Sequence, residues 1–230
     1  YESEVKPGEL LIWSKEGFKK QQIVKPKRRA FCSFEFPYFA RPDSVLNGLG
    51  KPVYRIREDF GKNLGKEDPE IRKKIDIIAS IPETGDDAAY GLHEQTGVKW
   101  ERAIRKHRYV TDRAFITTQQ ERDMIITKKL NIGDELRGKR VAVVEDSIVR
   151  VDTSRRTIKK MREAGAKDVH MYITFPRIIS PCFYGIDMST FSELIGAKHD
   201  AAGVAKIVGA DSVHYQSLEN FIKATGLSKD

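Results

Sequence analysis

The sequence lacks the features that mark several large classes of protein. Its 230 residues include only two cysteines, Cys32 and Cys182, which excludes the disulfide framework of a small secreted domain. No apolar run approaches the roughly 20 residues that a membrane-spanning helix needs. The first residues, YESEVKPGEL, contain no apolar core of a signal peptide. We therefore expect a cytoplasmic chain that does not contact a membrane.

What is present is the composition of a globular protein. Hydrophobic residues make up 40% of the chain and charged residues 32%, with 17 glycines and 9 prolines. These proportions exclude collagen-like, coiled-coil and wholly disordered chains. The length allows one large domain or two small ones. Because the sequence begins at Tyr1 rather than at a methionine, we keep open that it is part of a longer protein.

The positive charge is unevenly distributed along the chain. The formal net charge is +8, and residues 1–30 carry eight lysines and arginines against four glutamates. Such a balance suits a nucleic acid, an anionic membrane surface or a polyphosphate substrate. After residue 30 the signs are mixed, as on solvated helix faces, and we expect no nucleic-acid partner.

A change in composition near residue 30 suggests two parts. Residues 1–30 are polar and predict a connector, whereas the aromatic and apolar sequence that follows predicts a domain at 31–230. We expect residues 31–70 to contribute a small hood to that domain. Composition and periodicity favour helices at 55–66, 69–80 and 89–106, an extended piece at 51–54 and a buried strand at 75–81.

The clearest local pattern lies between residues 139 and 174. VAVV at 141–144 predicts a buried parallel strand, and VHMYIT at 169–174 predicts a second strand. Between them, TSRRTIKKMREAGA predicts a helix with Thr153 or Ser154 as its N-cap. A second unit of this kind is predicted up to a strand at 213–215. We therefore expect an α/β fold with a mainly parallel sheet flanked by helices.

Two carboxylates, Glu145 and Asp146, follow the first of these strands. Open parallel sheets bind ligands at the carboxyl ends of their strands. The loop that follows becomes a helix N-terminus, whose free N–H groups suit a phosphate. Carboxylates suit sugar hydroxyls or a divalent cation. The segment thus suggests a sugar-phosphate site, and an ordinary acidic turn before a capped helix remains the alternative.

The same segment, VVEDSIVRVDTSRR, resembles the phosphoribosyl pyrophosphate (PRPP) loop of type I phosphoribosyltransferases. From about Pro7 to its end the chain is similar to the amidophosphoribosyltransferase family. The other stretches that carry this resemblance, in the same order as in the family, are FCSFEFPYFARPDSVLNG (31–48), IPETGDDAAYG (81–91), KHRYVTDRAFI (106–116), KKLNIGDELRGKRVAVVEDS (128–147), REAGAK and PCFYGIDM.

The resemblance implies an enzyme of the first step of de novo purine (IMP) biosynthesis. Family members join a glutaminase domain, which releases ammonia through a terminal cysteine, to a phosphoribosyltransferase domain. The second domain forms 5-phosphoribosylamine from PRPP and ammonia. This sequence corresponds to the second domain alone, so a fused or separate glutaminase would supply the ammonia. The resemblance also implies a homo-oligomer that is inhibited by purine nucleotides.

Roles for individual residues follow from the same resemblance. Glu145 and Asp146 correspond to the acidic pair that binds ribose hydroxyls and helps to place Mg²⁺, and Thr84 corresponds to a hydroxyl near the metal. The loop that holds the 5′-phosphate comprises Ser147, Ile148, Val149, Arg150, Val151, Asp152, Thr153 and Ser154. A segment that folds over PRPP and excludes water contributes Lys106, Arg108, Tyr109 and Arg113.

The chain departs from the family pattern at positions that handle substrate. The family usually has aspartate where this chain has Glu145, and Gly-Thr where it has Val151 and Asp152. A valine Cβ would crowd a phosphate, Asp152 would repel it, and the segment at 106–116 is one residue longer. These changes raise the alternative of a catalytically weakened regulatory paralogue that binds PRPP or a nucleotide. A transcription regulator on the same fold is a further alternative.

The two cysteines have two interpretations. Unpaired cysteines are usually buried free thiols. However, Cys32 and Cys182 match two of the four ligands of the 4Fe–4S cluster in one branch of the family, and the other two ligands would lie beyond residue 230. Because such clusters normally take four thiolates, we expect a cluster only in an intact protein that supplies the missing pair.

Overall fold

The computed structural model describes residues 5–28, 30–46, 49–107, 130–188 and 190–227. The chain divides into two compact units, Tyr1–Glu35 and Phe36–Asp230, so the division falls shortly after the predicted boundary at residue 30. The role of residues 1–30 as a connector stays a prediction. Within the described ranges, no helix is both long and apolar enough to cross a membrane.

The first unit contains an antiparallel hairpin. Its strands, β1 (Glu9–Ser14) and β2 (Gly17–Gln22), pair along their whole length. The φ of Gly17 is +114°, which favours glycine at the turn. Trp13 and Phe18 lie opposite each other, edge to face with ring centroids 5.8 Å apart. A segment that composition predicts only as a connector thus has regular structure of its own.

The second unit is built on a five-stranded parallel sheet. Every neighbouring pair is parallel, and the strand at Arg140–Glu145 lies in the middle with residues 141–145 buried. The predicted α/β fold is confirmed, as are the strands predicted at 75–81, 141–144 and 169–174. In spatial order the strands are β4 (Lys99–Trp100), β3 (Ile77–Ser80), β7 (Arg140–Glu145), β8 (Asp168–Ile173) and β9 (Ser212–Tyr215).

Helices cover both faces of this sheet, which explains why its strands are apolar on both sides. In chain order they are α1 (Val53–Glu67), α2 (Ile71–Lys74), α3 (Asp86–Thr96), α4 (Val151–Glu163), α5 (Ile195–Lys198), α6 (Ala201–Val208) and α7 (Leu218–Thr225). Leu64 of α1 and Leu92 of α3 pack with Tyr172 on one face. Ile158 of α4 and Val204 of α6 pack on the other.

A short antiparallel ribbon lies beside the main sheet. It pairs β5 (Ile104–Lys106) with β6 (Leu130–Ile132). Residues 108–129, between the two strands, lie outside the described residues. Three of the four residues predicted to close over PRPP fall in that range: Arg108, Tyr109 and Arg113.

Several predicted element boundaries are wrong. Val53 and Tyr54 belong to α1 rather than to an extended piece, because Pro52, with its extended backbone, directly precedes the helix. The predicted helix at 69–80 shrinks to the single turn of α2. The predicted helix at 89–106 ends at Thr96, where Gly97 adopts φ +68° and stops it.

The N-cap predicted for α4 is also wrong. The helix begins at Val151, and Arg150 occupies the N-cap position with an extended backbone and no capping side chain. Thr153 and Ser154 therefore lie inside the first turn, where their hydroxyls are available for other partners.

Candidate active site

The acidic pair lies at the carboxyl end of the central strand. Glu145 is the last residue of β7, Asp146 follows it, and each is only 9% exposed. β7 reaches this position because its apolar residues are buried between β3 and β8. The site predicted from the strand pattern is therefore present, with both carboxylates largely removed from water.

Asp146 is held by two hydroxyls from different parts of the chain. Thr84, in the loop between β3 and α3, donates to Asp146 Oδ2 at 2.5 Å, and Ser147 donates to Oδ1 at 2.7 Å. Burial raises the pKa of Asp146, while these hydrogen bonds and the charge of Arg57 oppose the rise. The fold thus brings together two residues that resemblance alone had associated, Thr84 and Asp146.

Glu145 is contacted by the start of α4. The Ser154 hydroxyl, in the first turn of α4, donates to Glu145 Oε2 at 3.4 Å. Burial raises the pKa of Glu145 to about 8, and the negative charge of Asp146 adds to the rise. Two adjacent buried carboxylates of this kind favour a compensating cation or a ligand that donates hydrogen bonds.

The loop after the pair leads directly into α4. Ile148 is buried in the core, and Val151 packs against the same core cluster. The Val151 side chain therefore contacts the core, and the crowding of a phosphate by its Cβ stays a prediction. Asp152 and Thr153 are exposed on the first turn. N–H groups in a first helical turn have no partner within the helix.

A buried arginine connects the pair to its surroundings. Arg57 of α1 is 3% exposed, donates to the Phe36 and Ala40 carbonyls at 2.8 Å each, and lies 3.9 Å from Asp87. Burial lowers the pKa of Arg57, while the charges of Asp87 and Asp146 oppose that effect. We did not predict this residue.

A sequence signal for Arg57 did exist. It lies four residues after Val53 and three before Phe60, both fully buried on α1. Residues at these spacings share one helix face, so a charged side chain on the apolar stripe of α1 was visible in the sequence.

The region predicted to close over the substrate is described only in part. Lys106 is the last residue of β5 and is exposed. Its neighbour Arg105 donates to Glu135 at 2.8 Å, which ties the ribbon to the turn after β6. The roles of Lys106, Arg108, Tyr109 and Arg113 stay predictions.

The resemblance implies two metal groups, Mg²⁺ and a 4Fe–4S cluster, and the residues present fit only Mg²⁺. Among the described residues, no group of three or more histidine, cysteine or acidic side chains could hold a metal ion. Mg²⁺ often uses one or two carboxylates together with substrate oxygens, and Glu145 and Asp146 with Thr84 fit that partial donor set. A 4Fe–4S cluster takes four thiolates, and this sequence supplies two, so its own residues do not fit a cluster.

The chain is similar to known proteins along almost its whole length. It is 44% identical over 198 residues to an amidophosphoribosyltransferase of Methanocaldococcus jannaschii, which covers 86% of this chain and 41% of the relative. It is 40% identical over 232 residues to that of Bacillus subtilis, which covers 100% of this chain and 48% of the relative. The chain spans about half the length of the curated relatives that it matches. No family model matches it.

Solved structures agree with the sequence comparison. The glutamine PRPP amidotransferase of Bacillus subtilis, in complex with ADP and GMP, matches with a TM-score of 0.81 and 40% identity, covering 98% of this chain and 49% of that one. A structure described as the allosteric regulatory enzyme of purine biosynthesis matches equally well, at 39% identity over 98% of this chain and 48% of that one. Over the half of their length that it spans, the chain belongs to the amidophosphoribosyltransferase family.

Proposed function

We propose that this chain binds PRPP and transfers its phosphoribosyl group to ammonia. The products are 5-phosphoribosylamine and pyrophosphate, as in the first step of purine biosynthesis. The observation that carries the proposal is the buried Glu145–Asp146 pair at the entrance to α4. The whole of this chain is 40% identical to 48% of the Bacillus subtilis relative. A glutaminase domain or subunit would supply the ammonia.

Each part of the site has a proposed task. The Glu145 and Asp146 carboxylates accept hydrogen bonds from the ribose hydroxyls, and the Thr84 and Ser147 hydroxyls hold the Asp146 carboxylate in place. The N–H groups of residues 147–154 bind the 5′-phosphate at the positive end of α4. Lys106, Arg108, Tyr109 and Arg113 exclude water, so that ammonia attacks the anomeric carbon.

Mg²⁺ is proposed as the metal cofactor. Asp146, Glu145 and Thr84 would hold it together with oxygens of the substrate. When bound, it supplies positive charge that stabilises the leaving pyrophosphate. The burial of both carboxylates supports this role, because a cation offsets their mutual repulsion. An iron–sulfur cluster is proposed only for an intact protein with two further thiolates.

Regulation and assembly are proposed by analogy with the relatives. The Bacillus subtilis enzyme was solved with ADP and GMP, and we propose that purine nucleotides inhibit the protein to which this chain belongs. A homo-oligomer and a cytoplasmic location are part of the same proposal.

The decisive experiment measures binding and turnover separately. Calorimetric titration with PRPP and Mg²⁺ should show binding by the native chain, and an ammonium salt should then yield pyrophosphate. Asp146→Asn should weaken PRPP binding by about tenfold or more, since it removes a charged hydrogen-bond acceptor. Asp134→Asn, at a largely exposed carboxylate, is the matched control and should bind PRPP normally.

The same titration tests the regulatory alternative. Asp152 is exposed at the first turn of α4, where its charge opposes that of a phosphate. If Asp152→Thr binds PRPP and the native chain does not, the chain is a paralogue that has lost its substrate. Binding by the native chain without pyrophosphate release would indicate a PRPP sensor.

A further inference from the structure

Unpartnered polar groups are concentrated at the end of one strand. In the described part of the chain, four buried side-chain polar atoms have no hydrogen-bond partner, and three of them belong to Tyr215 and Gln216. These residues lie at the carboxyl end of β9, the same edge of the sheet that carries the acidic pair. Buried polar groups without partners are rare because each lowers stability. Two adjacent residues with this property therefore call for a functional explanation.

Tyr215 lies in the same row of the sheet as Glu145. Glu145 pairs with Ile173 of β8, and Ile173 pairs with Tyr215 of β9. Ile173 and Tyr215 pack in one core cluster, so their side chains share a sheet face. Strands lie about 4.8 Å apart, and two long side chains can meet across the one strand between them. The pKa of Tyr215 is consistent with this proximity. Burial raises it to about 12, the charge of Glu145 adds to the rise, and the charge of Arg177 opposes it.

Gln216 has the corresponding position on the opposite face. Its N–H donates to the Ile173 carbonyl at 2.9 Å, and the Thr174 N–H donates to the Glu145 carbonyl at 3.0 Å, so the ladder continues past the strand ends. Side chains alternate between the two faces, which places Gln216 in a row with Thr174 and Asp146. Gln216 is 2% exposed, yet neither its amide nitrogen nor its oxygen has a partner.

We propose that Tyr215 and Gln216 are positioning residues for the acidic pair, Tyr215 for Glu145 and Gln216 for Asp146. Each donates a hydrogen bond to its carboxylate when a sugar phosphate is bound, and so fixes the oxygens that accept from the ribose hydroxyls. The inference rests on the proposed function, because it assigns the hydroxyl contacts to this pair. It also extends the site from the central strand to the edge strand of the sheet.

The test compares the binding of two sugar phosphates by the native chain, two variants of the proposed residues and one control variant. Affinities for ribose 5-phosphate and 2-deoxyribose 5-phosphate are measured with Mg²⁺ by calorimetry on the native chain, Tyr215→Phe and Gln216→Met. The matched control is Tyr172→Phe on the neighbouring strand, because the Tyr172 hydroxyl does have a partner, Asp68 at 2.8 Å. Urea unfolding of every variant provides a second, independent readout.

We expect opposite behaviour from the variants and the control. Tyr215→Phe and Gln216→Met should retain or gain stability. In each, the ratio of the affinity for ribose 5-phosphate to that for 2-deoxyribose 5-phosphate should fall about fivefold, because one neutral hydrogen bond is lost. Tyr172→Phe should lose stability and keep the preference. The inference is overturned if the native chain shows the preference and both variants retain it. If the native chain binds neither PRPP nor ribose 5-phosphate, the proposed function itself fails.

Discussion

Arg57 illustrates how a single buried side chain connects the parts of the site. Its guanidinium bonds to two carbonyls of the segment before α1, faces Asp87 at the start of α3 and acts on the pKa of Asp146. A buried charge is tolerated only when it is paired and hydrogen-bonded. At the scale of residues, a positive charge that lies in none of the recognised motifs therefore opposes the rise in the pKa of Asp146.

Replacing Arg57 tests how much this side chain stabilises the fold. We expect Arg57→Met to lower the free energy of unfolding by about 2–3 kcal/mol, because it removes two buried hydrogen bonds and the charge that faces Asp87. Urea denaturation followed by circular dichroism measures the change. Arg41→Met removes an ion pair with Asp43 in which both side chains are largely exposed, and it should cost less than about 1 kcal/mol. Equal losses for the two variants would contradict the assignment.

The contact between α1 and α3 belongs to the scale of elements. The two helices approach so closely that a Cβ on Gly61 would collide with the Ala88 carbonyl, and one on Gly91 would collide with the Glu58 carbonyl. Backbone atoms cannot move aside as side chains can. The close approach positions the start of α3, and therefore Asp87, which lies 3.9 Å from Arg57.

Two alanine substitutions in α1 separate packing from helix propensity. Gly61→Ala should destabilise the chain by about 2–3 kcal/mol, because backbone must shift. At Gly65 the nearest atoms belong to the side chains of Gln95 and Thr96, and Gly65→Ala should change stability by less than about 1 kcal/mol, since the propensity gain offsets a small repacking. Thermal unfolding of both variants measures the difference, and a stable Gly61→Ala protein would refute the close approach.

Strands β8 and β9 carry two histidines, His170 and His214, whose titration should make stability depend on pH. His214 stacks on Tyr172 with centroids 4.6 Å apart, and Ser212 links it to His170 at 2.9 and 2.8 Å. Burial lowers the pKa of both histidines, an effect that nearby carboxylates, Asp68 and Asp211 among them, oppose. The unfolded chain therefore binds protons more tightly than the folded one below about pH 6.5.

The histidines should contribute a fall in the free energy of unfolding as the pH drops from about 7 to about 5, because stability rises with pH wherever the unfolded state binds more protons. Glu145, whose pKa burial raises to about 8, contributes with the opposite sign over the same range, so the histidine contribution is the difference in slope between the native chain and His214→Phe. Urea titrations at several pH values measure the slope, which His214→Phe should reduce while keeping the stacked ring. Asp76 contributes to the pH dependence of stability in a separate, lower pH range, because the Arg140 guanidinium lowers its pKa to about 2. Its stabilisation is present above about pH 4 and is lost between pH 4 and 2. A slope unchanged by His214→Phe would exclude the histidine as its source.

At the scale of the whole molecule, the two core clusters lie entirely within the second unit. Their members range from Leu64 to Tyr215, and β7, the strand that ends at the acidic pair, contributes to both. A unit with its own core and its own site should fold without the first 35 residues. We therefore predict that residues 36–230, expressed alone, keep the midpoint of thermal unfolding within a few degrees and keep PRPP affinity. Unfolded or aggregated material would show that the first unit is needed.

Local sequence determined the elements and the chemistry of this protein. The apolar run at 141–144, followed by Glu145 and Asp146, predicted both the central strand and the acidic edge, because a buried parallel strand needs only a continuous apolar run. The resemblance of a few short motifs identified the family.

Tertiary structure decided what surrounds the pair. Thr84 reaches Asp146 across 62 positions of sequence, and Arg57 and Tyr215 approach from α1 and β9, because a parallel sheet aligns strand ends that are distant along the chain. The start of α4 at Val151, and the contact of that side chain with the core, likewise depend on packing that no local pattern contains.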